Sequence, residues 1–168
     1  FPAHAKGRKG LRMEYFYREQ RQRHRVLMQD GKPVGGRWNF DHDNREPPPR
    51  DGRAWPLIKR FGLDDMDREV LDRLPNTTFG ADPDGTWPVT RTQALIRLTE
   101  FVDHGLSLFG PHEDAMLGAE WKLAHSALSS SMNLGLLHPG EVVAAAESAY
   151  RRGAAPLNSV EGFVRQVI

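Results

Sequence analysis

Residues 90–105 read TRTQALIRLTEFVDHG. Thr90 followed three positions later by Gln93 is a capping box, in which each side chain satisfies a backbone N–H that the first helical turn leaves unpaired. Behind it, Ala94, Leu95, Leu98, Phe101 and Val102 recur at the spacing that lays one apolar stripe along a helix. The stripe predicts a core-facing helix that closes before Gly105. The same signals extend outward. DDMDREVLDRL at 64–74 puts acids in a first turn and an arginine in a last one, as a helix dipole favours. EWKLAHSALSSSMNLG at 120–135 predicts a buried helix through Trp121, Leu123, Leu128 and Met132, ending on Gly135 as a glycine cap. Pro139 and Glu141 open another, closed by Arg151, Arg152 and Gly153, and Asn158 with Glu161 caps a last one through Phe163, Val164, Val167 and Ile168. Towards the N-terminus, residues 8–29 form a charged, helix-compatible stretch between Leu11, Tyr15 and the pair Val26 and Leu27. DGKPVGGRWNFDHDN at 30–44 and the prolines 47–49 then predict a long ordered loop ending near Trp55. PNTTFGADPDGTWPVT at 75–90 is a connector. Five or six helices without strand alternation predict an all-α fold.

The 168 residues, 39% hydrophobic and 27% charged, fit one ordinary globular domain. No apolar run approaches the roughly 18 to 20 residues of a membrane span, and FPAHAKGRKG lacks the apolar stretch of a signal peptide. The absence of cysteine excludes disulfides, thiolate catalysis and any iron–sulfur site within these residues, and fits a cytoplasmic home. A start on Phe1 and an end on Ile168 inside an amphipathic pattern lead us to expect a piece of a longer chain. The net charge of +1 conceals a division: residues 1–53 balance to +6 and residues 54–168 to −5. A basic first third attracts phosphates, and it equally describes a solvated helix face.

The motifs that carry chemistry are sparse. Asp41, His42 and Asp43 offer metal-ligand atom types, yet no HxxxH pair occurs and the calcium-loop glycine and terminal glutamate are missing, which leaves backbone-bonded turns as the plainer reading. No GxSxG, Walker or dinucleotide glycine pattern is present. Ser126 and Ser129, three apart with Ser130 beside them, would share one face of the expected helix, where hydroxyls suit either a phosphate or tight helix packing.

LRMEYFYREQR at 11–21, KPVGGRWNFDHDNR at 32–45, FGPHEDAM at 109–116, HSALSSSMNLGLL at 125–137 and PLNSVEGFVRQVI at 156–168 occur in this order. Together they resemble the prokaryotic branch of the cryptochrome/photolyase family, the branch of iron–sulfur bacterial cryptochromes and prokaryotic (6-4) photolyases. The resemblance implies a flavoprotein with an N-terminal antenna domain and a helical FAD-binding domain. Residues 1–54 would be a basic helix and interdomain linker, and 55–168 the first half of the helical domain. HSALSS is similar to the family's phosphate-gripping TSxLS motif, which places His125, Ser126, Ala127, Leu128 and Ser129 at the FAD diphosphate. The last helix implies Phe163 flanking the flavin and Gln166 meeting both flavin site and lesion. His112 stands where many relatives carry a tyrosine that reaches the FAD phosphate, and an imidazole still donates to phosphate. LSSSM replaces the LSPYL of other photolyases, removing a proline.

By the same resemblance, a [4Fe-4S] cluster and a lumazine-type antenna would be bound outside these residues. The implied activity is light-driven repair of pyrimidine photoproducts in UV-damaged DNA, with the lesion flipped into the cavity, and Arg18, Arg21, Arg23 and Arg25 become candidate backbone or linker contacts. A blue-light photoreceptor on the same fold is the alternative, and a helical module without flavin a third reading. Half of the FAD cavity is expected from the remainder of the polypeptide, and exposed apolar faces such as Phe163 with Val167 are expected to pack against it.

Overall fold

The computed structural model describes residues 2–7, 9–75 and 79–168, so Asn76, Thr77 and Thr78 of the expected connector lie outside the described residues. After a single turn α1 (Pro2–Ala5), the basic segment forms α2 (Met13–His24). This helix is shorter than the 8–29 stretch because Arg25 adopts a left-handed φ of 56°, and the Val26 N–H turns back onto the Arg21 carbonyl. A small antiparallel hairpin follows, β1 (Met28–Gln29) with β2 (Lys32–Pro33), its turn made by Asp30 and Gly31, both at positive φ. The fold is therefore mostly helical rather than purely α, and the expected loop begins as a hairpin before passing through single 3-10 turns at Val34–Gly36 and Asp41–Asp43.

α3 (Asp65–Asp72) starts on a capping box of Asp64 and Asp67. α4 (Arg91–Glu100) starts on the expected one: the Gln93 N–H donates to the Thr90 hydroxyl at 3.2 Å and the Thr90 N–H to Gln93 Oε1 at 3.3 Å. The helix does not close before Gly105. It continues through a π-helical turn (Phe101–Gly105) directly into α5 (Leu106–His112). A Cβ at Gly105 would lie 2.9 Å from the Phe101 ring and 3.4 Å from the Ala124 carbonyl, so this glycine serves close packing rather than termination.

The long helix expected over 120–135 reduces to α6 (Ser129–Asn133). Leu123 and Ala127 take left-handed φ of 49° and 52°, which no helix interior accommodates, and Trp121 stays 63% exposed instead of buried. Ser126 and Ser129 consequently do not share a helix face. The far end is as expected: Gly135 has φ 73°, its N–H reaches the Met132 carbonyl and the Leu136 N–H the Ser131 carbonyl, a Schellman closure. α7 (Pro139–Arg151) is capped by His138, whose Nδ1 accepts from the Gly140 N–H. α8 (Leu157–Val167) starts on Pro156, so Asn158 and Glu161 sit inside it and cap nothing.

Phe101, Phe109 and Phe163 form the aromatic centre of the core, with Leu98, Leu106, Leu128, Leu137, Val142 and Val160 around them. Phe163 is 3% exposed and contributes no exposed face with Val167, because α5 lies close against α8 and covers it. Gly110 permits that approach: a Cβ there would sit 2.6 Å from the Ser159 Cα. The Ser159 hydroxyl accepts from the Gly110 N–H and donates to the Ser107 carbonyl, both at 3.1 Å.

The N-terminal segment is tied to α8 by a buried carboxylate. Glu161, fully buried, accepts from the Tyr17 hydroxyl at 2.8 Å, the Phe40 N–H at 3.0 Å and the Arg165 guanidinium at 2.7 Å. Arg21 is equally buried and donates to the Val26, Leu27 and Trp38 carbonyls, which removes it from the candidate phosphate contacts. Among the described residues no helix is long and apolar enough to cross a membrane.

Candidate functional site

The site residues read from sequence come from three distant stretches, and the last turn of α5 draws together His112, His125, Phe163 and Gln166. Phe109, His112 and Glu113 occupy that turn and its cap. The Phe109 ring meets the His125 imidazole edge-on at 5.9 Å and the Phe163 ring at 5.5 Å, so His125 and Phe163 flank one phenyl group. His112, 6% exposed, packs edge-on against Trp55 at 5.4 Å, and its buried Nδ1 has no protein partner among the described residues. Gln166, exposed on α8, donates from Nε2 to Glu113 Oε2 at 3.4 Å.

His125, Ser126, Ala127 and Leu128 form the turn that leads into α6 rather than a helix. Leu128 is fully buried in the core, Ser126 is half-buried and Ser129, the first residue of α6, is exposed. Leu128 thus fixes the turn while Ser129 is exposed at the start of α6. The hydroxyls of Ser130 and of Ser131, the latter left aside by sequence reasoning, are buried without partners among the described residues. Burial holds the His125 imidazole below its ordinary pKa, and the nearby Lys122 ammonium acts in the same direction.

Glu113, Asn44 and Gly162 were also missed. Glu113 stood in view inside FGPHEDAM, but nothing in its spacing marks it as different from any exposed acid. In the fold it is half-buried among carboxylates. Desolvation is the first cause that raises its pKa, to about 7, followed by the charge of Asp114, with Asp41 and Glu161 adding to it. Asn44, fully buried, hydrogen-bonds Glu113, donates to the Asn158 backbone carbonyl and accepts from the Asn158 side-chain amide. Asp41 and Asp43 of the DHDN segment are ion-paired to Arg45 and Arg37, and the Asp41 N–H is held by Asn39, which is Asx-turn chemistry from a neighbouring residue. No group of three or more metal-ligating side chains is gathered among the described residues.

The buried His112 Nδ1 and the Ser130 and Ser131 hydroxyls have no hydrogen-bond partner among the described residues. The aromatic layer does not present a free ring face to a flavin, since Phe163 is enclosed by Phe101 and Phe109. The deoxyribodipyrimidine photo-lyase-related protein family matches residues 1–83. A (6-4) photolyase of Agrobacterium fabrum is 48% identical over 167 residues, covering 98% of this chain. The chain spans about a third of that relative's length, 33%.

Proposed function

Because the chain belongs to the prokaryotic branch of the photolyase/cryptochrome family, we propose that it forms part of the FAD site of a light-driven DNA-repair lyase of the (6-4) type. The observation that carries this reading is the convergence of His112, His125, Phe163 and Gln166 on the last turn of α5, where the buried His112 Nδ1 has no partner among the described residues. His112, Ser126, Ser129 and the backbone of Ala127 would hold the phosphates, and Leu128 anchors their turn in the core. His125, kept neutral by burial, donates without adding charge. Phe163 acts through Phe109, setting the aromatic layer on which His125 rests, and Gln166 is the residue offered to substrate. When bound, FAD supplies the light-driven electron transfer, while the protein positions it and excludes water.

In this reading residues 1–54 serve as basic helix and interdomain linker and 55–168 as the first half of the helical domain. The remaining polypeptide completes the cavity and carries any [4Fe-4S] cluster and lumazine-type antenna. The substrate is UV-damaged DNA and the compartment the cytoplasm. The relative's name favours repair over the photoreceptor alternative.

The test is made on the full-length protein. Its visible spectrum is expected to show flavin bands that bleach under blue light with a reductant, and illumination is expected to reverse (6-4) photoproducts in UV-damaged DNA. A double substitution of His112 and Ser129 to alanine is expected to lower flavin retention several-fold. A colourless protein that takes up no added FAD defeats the proposal, and flavin without lesion reversal moves it to the photoreceptor.

A further inference from the structure

Gly162 is a window in α8. A Cβ there would lie 2.9 Å from Glu113 Oε2 and 2.8 Å from Asn44 Nδ2, so both polar groups reach the helix backbone only because the side chain is missing. One turn further along, Gln166 donates to the same Glu113 Oε2 at 3.4 Å. A carboxylate has no donor of its own, so an ionised Glu113 can hold only the NH2 side of the amide. The Gln166 carbonyl oxygen, without a partner among the described residues, is then the group facing solvent.

We propose that Glu113 sets the hydrogen-bonding polarity of Gln166, holding its amide N–H inward so that the carbonyl oxygen meets the ligand, and that the ligand group it recognises is an N–H or O–H donor. Glu113 is a positioning residue: it acts through Gln166, and the inference rests on the placement of Gln166 at the substrate side of the site.

Asp114 faces Glu113 from the end of its own element, Asp41 and Arg45 from the DHDN loop, and Glu161 from α8. The carboxylates outnumber the single arginine, and with burial they bring Glu113 protonation close to pH 7. A protonated Glu113 carries an O–H donor beside its remaining acceptor oxygen, so it no longer dictates the Gln166 amide orientation, and the amide is free to turn and present its NH2 group. The polarity offered to ligand is therefore fixed above the neutral range and released below it.

The experiment measures equilibrium binding in darkness, by fluorescence anisotropy, of a duplex bearing one (6-4) photoproduct to the full-length flavoprotein across about pH 6 to 8. Binding is expected to tighten about fivefold as pH rises, one hydrogen bond's worth. Glu113→Gln is expected to bind at the weaker level throughout, with no midpoint near 7, and Gln166→Ala likewise. Flavin absorbance and melting temperature monitor the fold of each variant. A Glu113→Gln protein that keeps the wild-type pH profile, beside a weakened Gln166→Ala, overturns the inference and leaves the proposed function standing. A Gln166→Ala protein that binds like wild type removes Gln166 from the site and overturns both its assigned role and the inference. Gly162→Ala, which pushes Glu113 aside without altering any charge, is expected to flatten the profile as Glu113→Gln does.

Discussion

At the scale of single residues, two glutamates govern this chain in opposite ways. Glu161 is fully buried yet matched by a phenol, a backbone N–H and a guanidinium. Removing it leaves the buried Tyr17 hydroxyl and the Phe40 N–H without their partner, while the half-buried Arg165 keeps Glu14, so Glu161→Ala is expected to cost about 2 to 4 kcal/mol in urea unfolding. The N-x-x-E spacing of Asn158 and Glu161 imitates a capping box, which is why sequence placed both at a helix start. Pro156 begins the helix earlier and turns both side chains to tertiary partners. Glu113 is only partly matched. Its pKa rises from 4.5 to about 7 on folding, chiefly through desolvation, so between those values the folded state binds more protons than the unfolded one. Stability is therefore highest below about pH 4.5 as far as this group is concerned, and falls as pH climbs to 7. Half-exposure discounts the effect to about 1 kcal/mol. Glu113→Gln is expected to remove that slope, read as melting temperature against pH.

At the scale of elements, local signals and tertiary demands part at identifiable points. The Thr90–Gln93 box and the Gly135 closure are satisfied by neighbours in sequence, and both stand where the pattern put them. Gly135 has open space around its missing Cβ, so Gly135→Ala meets only the strain of φ 73°. The expected loss is about 1 kcal/mol in chemical denaturation. Gly105 and Gly85 behave differently. Gly105 lies inside a continuous helix because Phe101 and Ala124 crowd it, and a Cβ at Gly85 would fall 1.8 Å from the Phe61 carbonyl oxygen. Gly85→Ala is expected to displace the Phe61–Gly85 backbone pairing and cost well beyond Gly135→Ala in the same measurement. The turn of residues 123–128 shows the limit of periodicity. Its apolar residues fit a helix, but Leu123 and Ala127 reach the core from left-handed backbone.

At the scale of the whole molecule, the charge division acquires a partial meaning. Arg21, counted with the basic third, is consumed by backbone carbonyls, whereas Arg23 in the last turn of α2 and Arg25 just after it remain exposed. If the proposed substrate contacts this face, each exposed arginine that neutralises a phosphate releases a counterion. Replacing Arg23 and Arg25 by alanine in the full-length protein is then expected to reduce the slope of log affinity for DNA against log salt by about 2. An unchanged slope assigns the two arginines to solvent.

The sequence by itself determined the elements whose signals are local: capped helix starts, glycine closures, the proline-bounded loop, and the ordered motifs that carry the family resemblance. These depend on bonds spanning three to six residues, which a linear reading contains. Only the tertiary structure decided that Glu161 clasps the N-terminal segment, that Phe163 is enclosed, that Arg21 is unavailable, and that Glu113 meets Gln166 through the gap at Gly162. The Glu161 and Glu113 contacts join groups 53 to 144 residues apart, the Arg21 bonds need the chain to turn back over 5 to 17 residues, and the environment that shifts a pKa or matches a buried charge exists only once helices pack.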